Sequence, residues 1–157
     1  MIEQLWTNLK TDVRRKDGSI TKEWGDIGFQ VTDPMSYFRS MGIFSQVQFN
    51  YFSKQCKSEA LRALVESNHR VLWYQFDVTG INMTAFFMEL YPLVAKGNDN
   101  DENAGVVQLN DVYATIFTRF NNLWVSSNPR DVMAFPSIFQ SLKNDIRAEL
   151  TRKSFHY

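Results

Sequence analysis

Apolar residues recur at helical spacing through most of the chain. Ile2, Leu5, Trp6, Leu9 and Val13 fall at i, i+3, i+4, i+7 and i+11, which predicts an N-terminal helix with one buried face. The charged run RRKDGS follows, and Gly18 is expected to stop that helix and turn the chain. ITKEWGDIGFQVTD holds two glycines and no sustained period, so an ordered loop is expected, with Trp24, Ile27 and Phe29 pinned into the core. Asp33-Pro34 is a helix start: the aspartate accepts bonds from free amides and proline suits the first helical position. A short helix to about Gly42 should group Met35, Phe38 and Met41 on one face. Arg39 then falls about 100° from the centre of that face, where its stem can be covered while its head stays in water.

IFSQVQFNYFSKQ predicts the next helix, with Phe44, Val47, Tyr51, Phe52 and Gln55 along one side. Ser58 is expected to cap SEALRALVES, with Ala60, Leu61, Leu64 and Val65 inward. Periodicity alone allows a strand from Leu72 to Val78, but no partner strand is evident, so the segment is read as helical. Met83 to Leu90 is more plainly helical, and Pro92 is expected to end it. Residues 96–105, KGNDNDENAG, are polar and acidic and read as a mobile surface loop. Two further helices follow. One carries Val112, Ile116, Phe120, Leu123 and Trp124; the other opens at Phe135-Pro136 and carries Phe139, Leu142, Ile146 and Leu150. With no internal repeat, the expectation is an all-α fold, a single compact multi-helix domain over residues 1–157.

Composition narrows the function. The chain has 13 Phe, 6 Tyr and 4 Trp, enough to build an aromatic core, and its 17 basic and 17 acidic residues cancel. That balance speaks against a nucleic-acid binder, which needs a basic excess. Cys56 is the lone cysteine and cannot form an internal disulfide, which suits a reducing, cytoplasmic setting. No apolar run reaches the roughly 20 residues of a transmembrane helix, and MIEQLWTNLK does not read as a secretory signal. No polybasic cluster or lipidation signal is present, so contact with a membrane is expected only through a partner.

Little of the usual catalytic chemistry is on offer. Two scattered histidines, His69 and His156, and one cysteine cannot assemble a zinc site. The acidic run does not have the spacing of a calcium loop, so no metal is expected. No glycine-rich phosphate loop with a lysine occurs, and no cofactor is expected. Cys56 reads as a packing residue before a nucleophile. A chain with this inventory would accelerate a reaction by lending one group to another protein's active site.

The stretch WGDIGFQVTDPMSYFRSMGIFSQVQFNYF resembles the signature of the ELMO domain. Trp24, Gly28, Phe29, Gln30, Asp33, Pro34, Phe38, Arg39, Gly42, Tyr51 and Phe52 match it in identity and spacing. The likeness extends upstream to LWTNLK and downstream to VTGINMT (78–84) and DVMAFPSIF (131–139). The resemblance implies an ELMO-domain-like helical fold and one of two activities. Proteins built on this domain alone are GTPase-activating proteins for Arf and Arf-like small GTPases in the GTP-bound form, and need the signature arginine. Larger scaffold relatives lack that arginine and act with DOCK-type exchange factors on Rac. Arg39 is retained and no flanking scaffold domain is expected within the 157 residues, which favours the first: an activator, not an enzyme in its own right, with a role in membrane traffic. The family pattern Thr-Asp-Phe-Arg-Gly-x-Gly is altered, since Tyr37 stands for the acidic neighbour and Ser40 for the first glycine. Gln30 is a candidate second polar contributor. Asp33 reads as a helix cap, Gly28 and Gly42 as turn formers. On residue physics alone Arg39 has a second reading, a structural arginine whose stem covers Phe38.

Overall fold

The structure is a computed structural model, which describes residues 2–15, 20–39, 41–94 and 102–152; the side chains of Tyr37, Arg39 and residues 102–108 lie outside that description. Six α-helices run in chain order among the described residues: α1 (Ile2–Leu9), α2 (Gly42–Gln55), α3 (Lys57–Ser67), α4 (Phe76–Val94), α5 (Glu102–Ser127) and α6 (Phe135–Thr151). Short 3₁₀ helices span Lys22–Ile27, Pro34–Arg39 and Val132–Ala134. No strand occurs among the described residues, in keeping with the all-α expectation.

Helix α5 is the spine, packed against α2, α3, α4 and α6. Val112, Ile116, Phe120 and Trp124 are all solvent-free, at the i, i+4, i+8, i+12 spacing of one continuous stripe. Tyr113 and Phe117 widen it. Phe52 of α2 stacks on Phe117 at 4.8 Å between ring centroids, and Phe49 meets Phe76 of α4 edge-on at 5.2 Å. On the other side of the spine, Phe120 packs against Phe135 of α6 at 5.1 Å. Leu142 and Ile146 of α6 are buried and Phe139 and Leu150 half-buried, on the face their spacing predicts. A two-pronged pair from Arg119 to Glu149, at 2.8 and 2.6 Å, fastens α5 to α6.

Several helices depart from the expected pattern. α1 ends at Leu9, so Val13 lies past it and is exposed; Gly18 lies outside the described residues. The Pro34 segment is 3₁₀ rather than α, and Met35 is exposed while Phe38 is buried. α2 is rotated from the expected face: Phe52 is buried as expected, but with Ser45, Gln46, Gln48, Phe49 and Ser53, whereas Phe44 and Val47 stay partly in solvent.

Ser58 does not cap α3, which starts two residues earlier, at Lys57 after Cys56, with no side-chain cap, and Val65 is exposed where Ala63 is buried. Residues 72–75 are not helical. There the His69 Nδ1 accepts the amides of Val71 and Leu72, and the Tyr74 amide reaches the Ser67 carbonyl. Pro92 lies inside α4, which runs on to Val94. Of the acidic stretch, residues 102–105 open α5, and the remainder falls outside the described residues, as does His156.

Candidate functional site

The signature stretch folds as two 3₁₀ turns leading into α2. Thr21 caps the first by accepting the Glu23 amide at 3.2 Å, and Gly28 closes it at φ 88°, a left-handed conformation glycine adopts without strain. Space makes the same demand: a Cβ on Gly28 would stand 2.8 Å from Cβ of Phe76, the first residue of α4. The Thr21 amide donates to the Thr32 carbonyl at 2.9 Å and closes the base of this loop.

Asp33 starts the second turn as expected. Its Oδ1 accepts the Met35 amide at 3.1 Å, and its carbonyl accepts both the amide and the hydroxyl of Ser36. Pro34 is buried, and Phe38 at the far end is nearly sealed. An aromatic relay carries this anchor inward: Phe38 meets Phe29 at 5.9 Å, Phe29 meets Trp24 at 6.3 Å, and Trp24 meets Trp6 of α1 at 5.9 Å. The Arg15 guanidinium lies 4.2 Å over Trp24, a cation on an aromatic face, and pairs with Glu3. The backbone of Arg39 is therefore the residue after a ring locked into the core. Gly42, three residues on, has φ 58° with open space about it, so conformation and not crowding requires glycine there.

The expected site residues are only partly gathered. Asp33, Phe38 and Gly42 frame the segment that carries Tyr37 and Arg39, while Ser40 lies outside the described residues. Gln30 is exposed, and its Oε1 accepts Gln75 Nε2 at 2.8 Å. It borders a cleft of about 380 Å³ whose walls include His69, Trp73 and Gln75.

The sequence reading took the start of α4 as helical but singled out none of its residues for a role. Phe76 backs Gly28, Gln75 holds Gln30, and Asp77, 1% exposed, lies beside them with its Oδ1 accepting the Val78 amide at 2.8 Å. Burial pushes the Asp77 carboxyl up to about 6, with the backbone amides of Val78 and Gln30 offsetting part of the effect. Its Oδ2 has no hydrogen-bond partner among the described residues. An aspartate one residue into a long apolar helix is the signal that could have marked this position.

Other chemistry stays unassembled. Burial, then Glu59 and Asp111, push the Cys56 thiol up, the reverse of an activated nucleophile. Among the described residues no group of His, Cys, Asp or Glu could hold a metal, and no helix is long and apolar enough to cross a membrane.

Comparison with known proteins places this geometry. Residues 1–139 match the model of the ELMO/CED-12 family. The chain is 34% identical over 149 residues to ELMO domain-containing protein B of Dictyostelium discoideum, covering 92% of this chain and 51% of that protein. It is 32% identical over 145 residues to human ELMO domain-containing protein 2, covering 86% and 47% respectively. It thus spans about half the length of these curated relatives. No solved structure gives a significant match. With a signature whose Asp33 cap, Gly28 and Gly42 turns and buried Trp24, Phe29 and Phe38 all have structural work, and a family match over most of its length, the chain belongs to the ELMO/CED-12 family.

Proposed function

We propose that this chain activates GTP hydrolysis by an Arf or Arf-like small GTPase, with Arg39 inserted in trans as an arginine finger. The observation that carries the reading is a retained signature arginine on a segment held at both ends, by the Asp33 cap and buried Phe38 before it and the Gly42 turn after it. Hydrolysis of GTP spreads negative charge over the phosphoryl oxygens and the leaving bridge oxygen. A guanidinium meets that charge with a permanent cation and a planar fork of donors, which a lysine cannot reproduce. A finger of this kind is worth about 10³–10⁵ in rate, roughly 4–7 kcal/mol of barrier. Rigid flanks matter because they reduce the ordering cost of placing the group. Tyr37 and Ser40 stand where the family pattern has an acidic residue and a glycine, and they tune which partner fits. Gln30, tied to Gln75, borders a separate cleft and serves this reading as support for the loop. The setting is cytoplasmic, with membrane contact through the GTPase.

The test is stimulated GTP hydrolysis across a panel of GTP-loaded Arf and Arf-like proteins. Arg39→Lys should lose at least 100-fold of the stimulation while its melting temperature stays within about 2 °C of wild type. Full stimulation by a stably folded Arg39→Lys or Arg39→Ala protein would refute the finger. Binding without stimulation by the wild type would instead favour a non-catalytic module of the kind that works with DOCK-type exchange factors on Rac.

A further inference from the structure

Beside the signature turn, the surface changes character. Met41 and Phe44 at the start of α2 face Met88 and Tyr91 late in α4 across an open groove of about 390 Å³. Its two rings rest on the core through Phe87, fully buried, 5.9 Å from the Phe44 ring and 6.4 Å from Tyr91. Among the described residues no charged side chain lines the groove. Ile43 and Val47, one helical turn apart, continue the apolar strip along α2. Ile43 is 67% exposed, Met88 50%, Tyr91 43%, Val47 39% and Phe44 38%. Those exposures leave roughly 450 Å² of contiguous apolar surface, within the range at which a patch on a monomer tends to be functional.

We infer that this groove is the docking surface for the GTP-bound GTPase, receiving an apolar side of that protein while Arg39 reaches its nucleotide. The inference rests on the reading of Arg39 given above and adds where the partner sits. Continuity favours it: Met41 lines the groove and stands two residues from Arg39 in the chain, so the groove adjoins the segment that carries the arginine. Chemistry favours it as well, since an uncharged wall rejects a charged segment and accepts an apolar one. Area argues against a second copy of the chain. A symmetric pair joined by this patch alone would bury about 900 Å², below the roughly 1,200 Å² of a stable interface. A GTPase that also contacts the polar signature turn makes up the difference. Two methionines suit such a surface, because their unbranched side chains adapt to the shape they meet.

The experiment compares wild type, Met88→Glu, Tyr91→Glu and a control, Val65→Glu, on the exposed side of α3. Each is measured for stimulated hydrolysis and for binding to the same panel of Arf and Arf-like proteins loaded with GTPγS. The groove variants should raise KM for the GTP-loaded partner about tenfold or more with kcat within twofold, at unchanged melting temperature. Met88→Leu should behave as wild type, and Val65→Glu should change nothing. Unchanged KM and binding in both groove variants overturns the docking surface and leaves the finger standing. Binding that Met88→Glu abolishes, without stimulation by the wild type, keeps the surface and sinks the finger. Wild-type protein that binds no GTPase of the panel overturns both. Sedimentation showing a dimer that Met88→Glu disperses, or phosphatidylcholine vesicles that retain wild type but not Met88→Glu, gives the groove to another occupant and also overturns the proposal.

Discussion

Replacing Asp77 by asparagine should stabilise the protein, by an amount that grows as pH rises from about 4 to above 6. Asp77 is 1% exposed, and one of its oxygens has no hydrogen-bond partner among the described residues. Its carboxyl is raised by burial from 3.8 to about 6, a change of about two units. At about 1.4 kcal/mol per unit, the charged form costs the fold about 3 kcal/mol at neutral pH. The folded state holds this proton more tightly than the unfolded chain does. The group's contribution to stability is therefore complete below the ordinary carboxyl range and is lost as pH rises through about 6. Its place in the first turn of α4 favours the anion, but by no more than about 1 kcal/mol. Asp77→Asn keeps an oxygen for the Val78 amide and never charges, so a net gain of about 2 kcal/mol is expected at pH 7.5 and almost none at pH 4. Urea titrations of both proteins at pH 4 and 7.5 measure it, and a chain of this length should also gain about 4–8 °C in melting temperature at the higher pH. No gain at pH 7.5, or an equal gain at both pH values, would refute the argument that buried charge is the cost.

Gly80→Ala should destabilise the fold by about 2 kcal/mol or more, despite alanine's better helix propensity. The added Cβ would lie 1.7 Å from Cε2 of Phe49, a ring hemmed in by Phe76 and Phe117, and denaturant unfolding would show the loss. Gly28→Ala should lose stability comparably, through both its φ of 88° and contact with Phe76, with a lowered melting temperature as the readout. Cys56 should react with a thiol reagent at pH 7.5 more slowly than a free cysteine, since burial and the neighbouring carboxylates disfavour its thiolate.

Where local chemistry decided the outcome, it could be read from the residues. The Asp33 cap, the two left-handed glycines, the buried rings of the signature and the apolar stripes of α5 and α6 all stand where spacing and side-chain chemistry put them. What was lost depended on neighbours. In α2 the inward face includes Gln48, wholly buried and without a hydrogen-bond partner among the described residues, so no hydropathy pattern points to it. That face wins because Phe49 fits over Gly80, a vacancy on a different helix. Pro92 is tolerated because only the last turn of α4 follows it, and the residue four before it, Met88, faces solvent. The ties from Gln75, Phe76 and Asp77 to the Gly28–Gln30 loop span more than forty residues, beyond any local motif.

The placement of the four tryptophans gives the protein its own optical reporters. Trp6, Trp24 and Trp124 are sealed in the core, the first two edge to face, while Trp73 is partly exposed on the wall of the Gln30 cleft. Iodide in the solvent can therefore reach one indole and not the other three. Quenching of intrinsic fluorescence then reads occupancy of that single wall with no label attached, while the near-ultraviolet dichroism of the Trp6–Trp24 pair reads the integrity of the signature loop in the same cuvette.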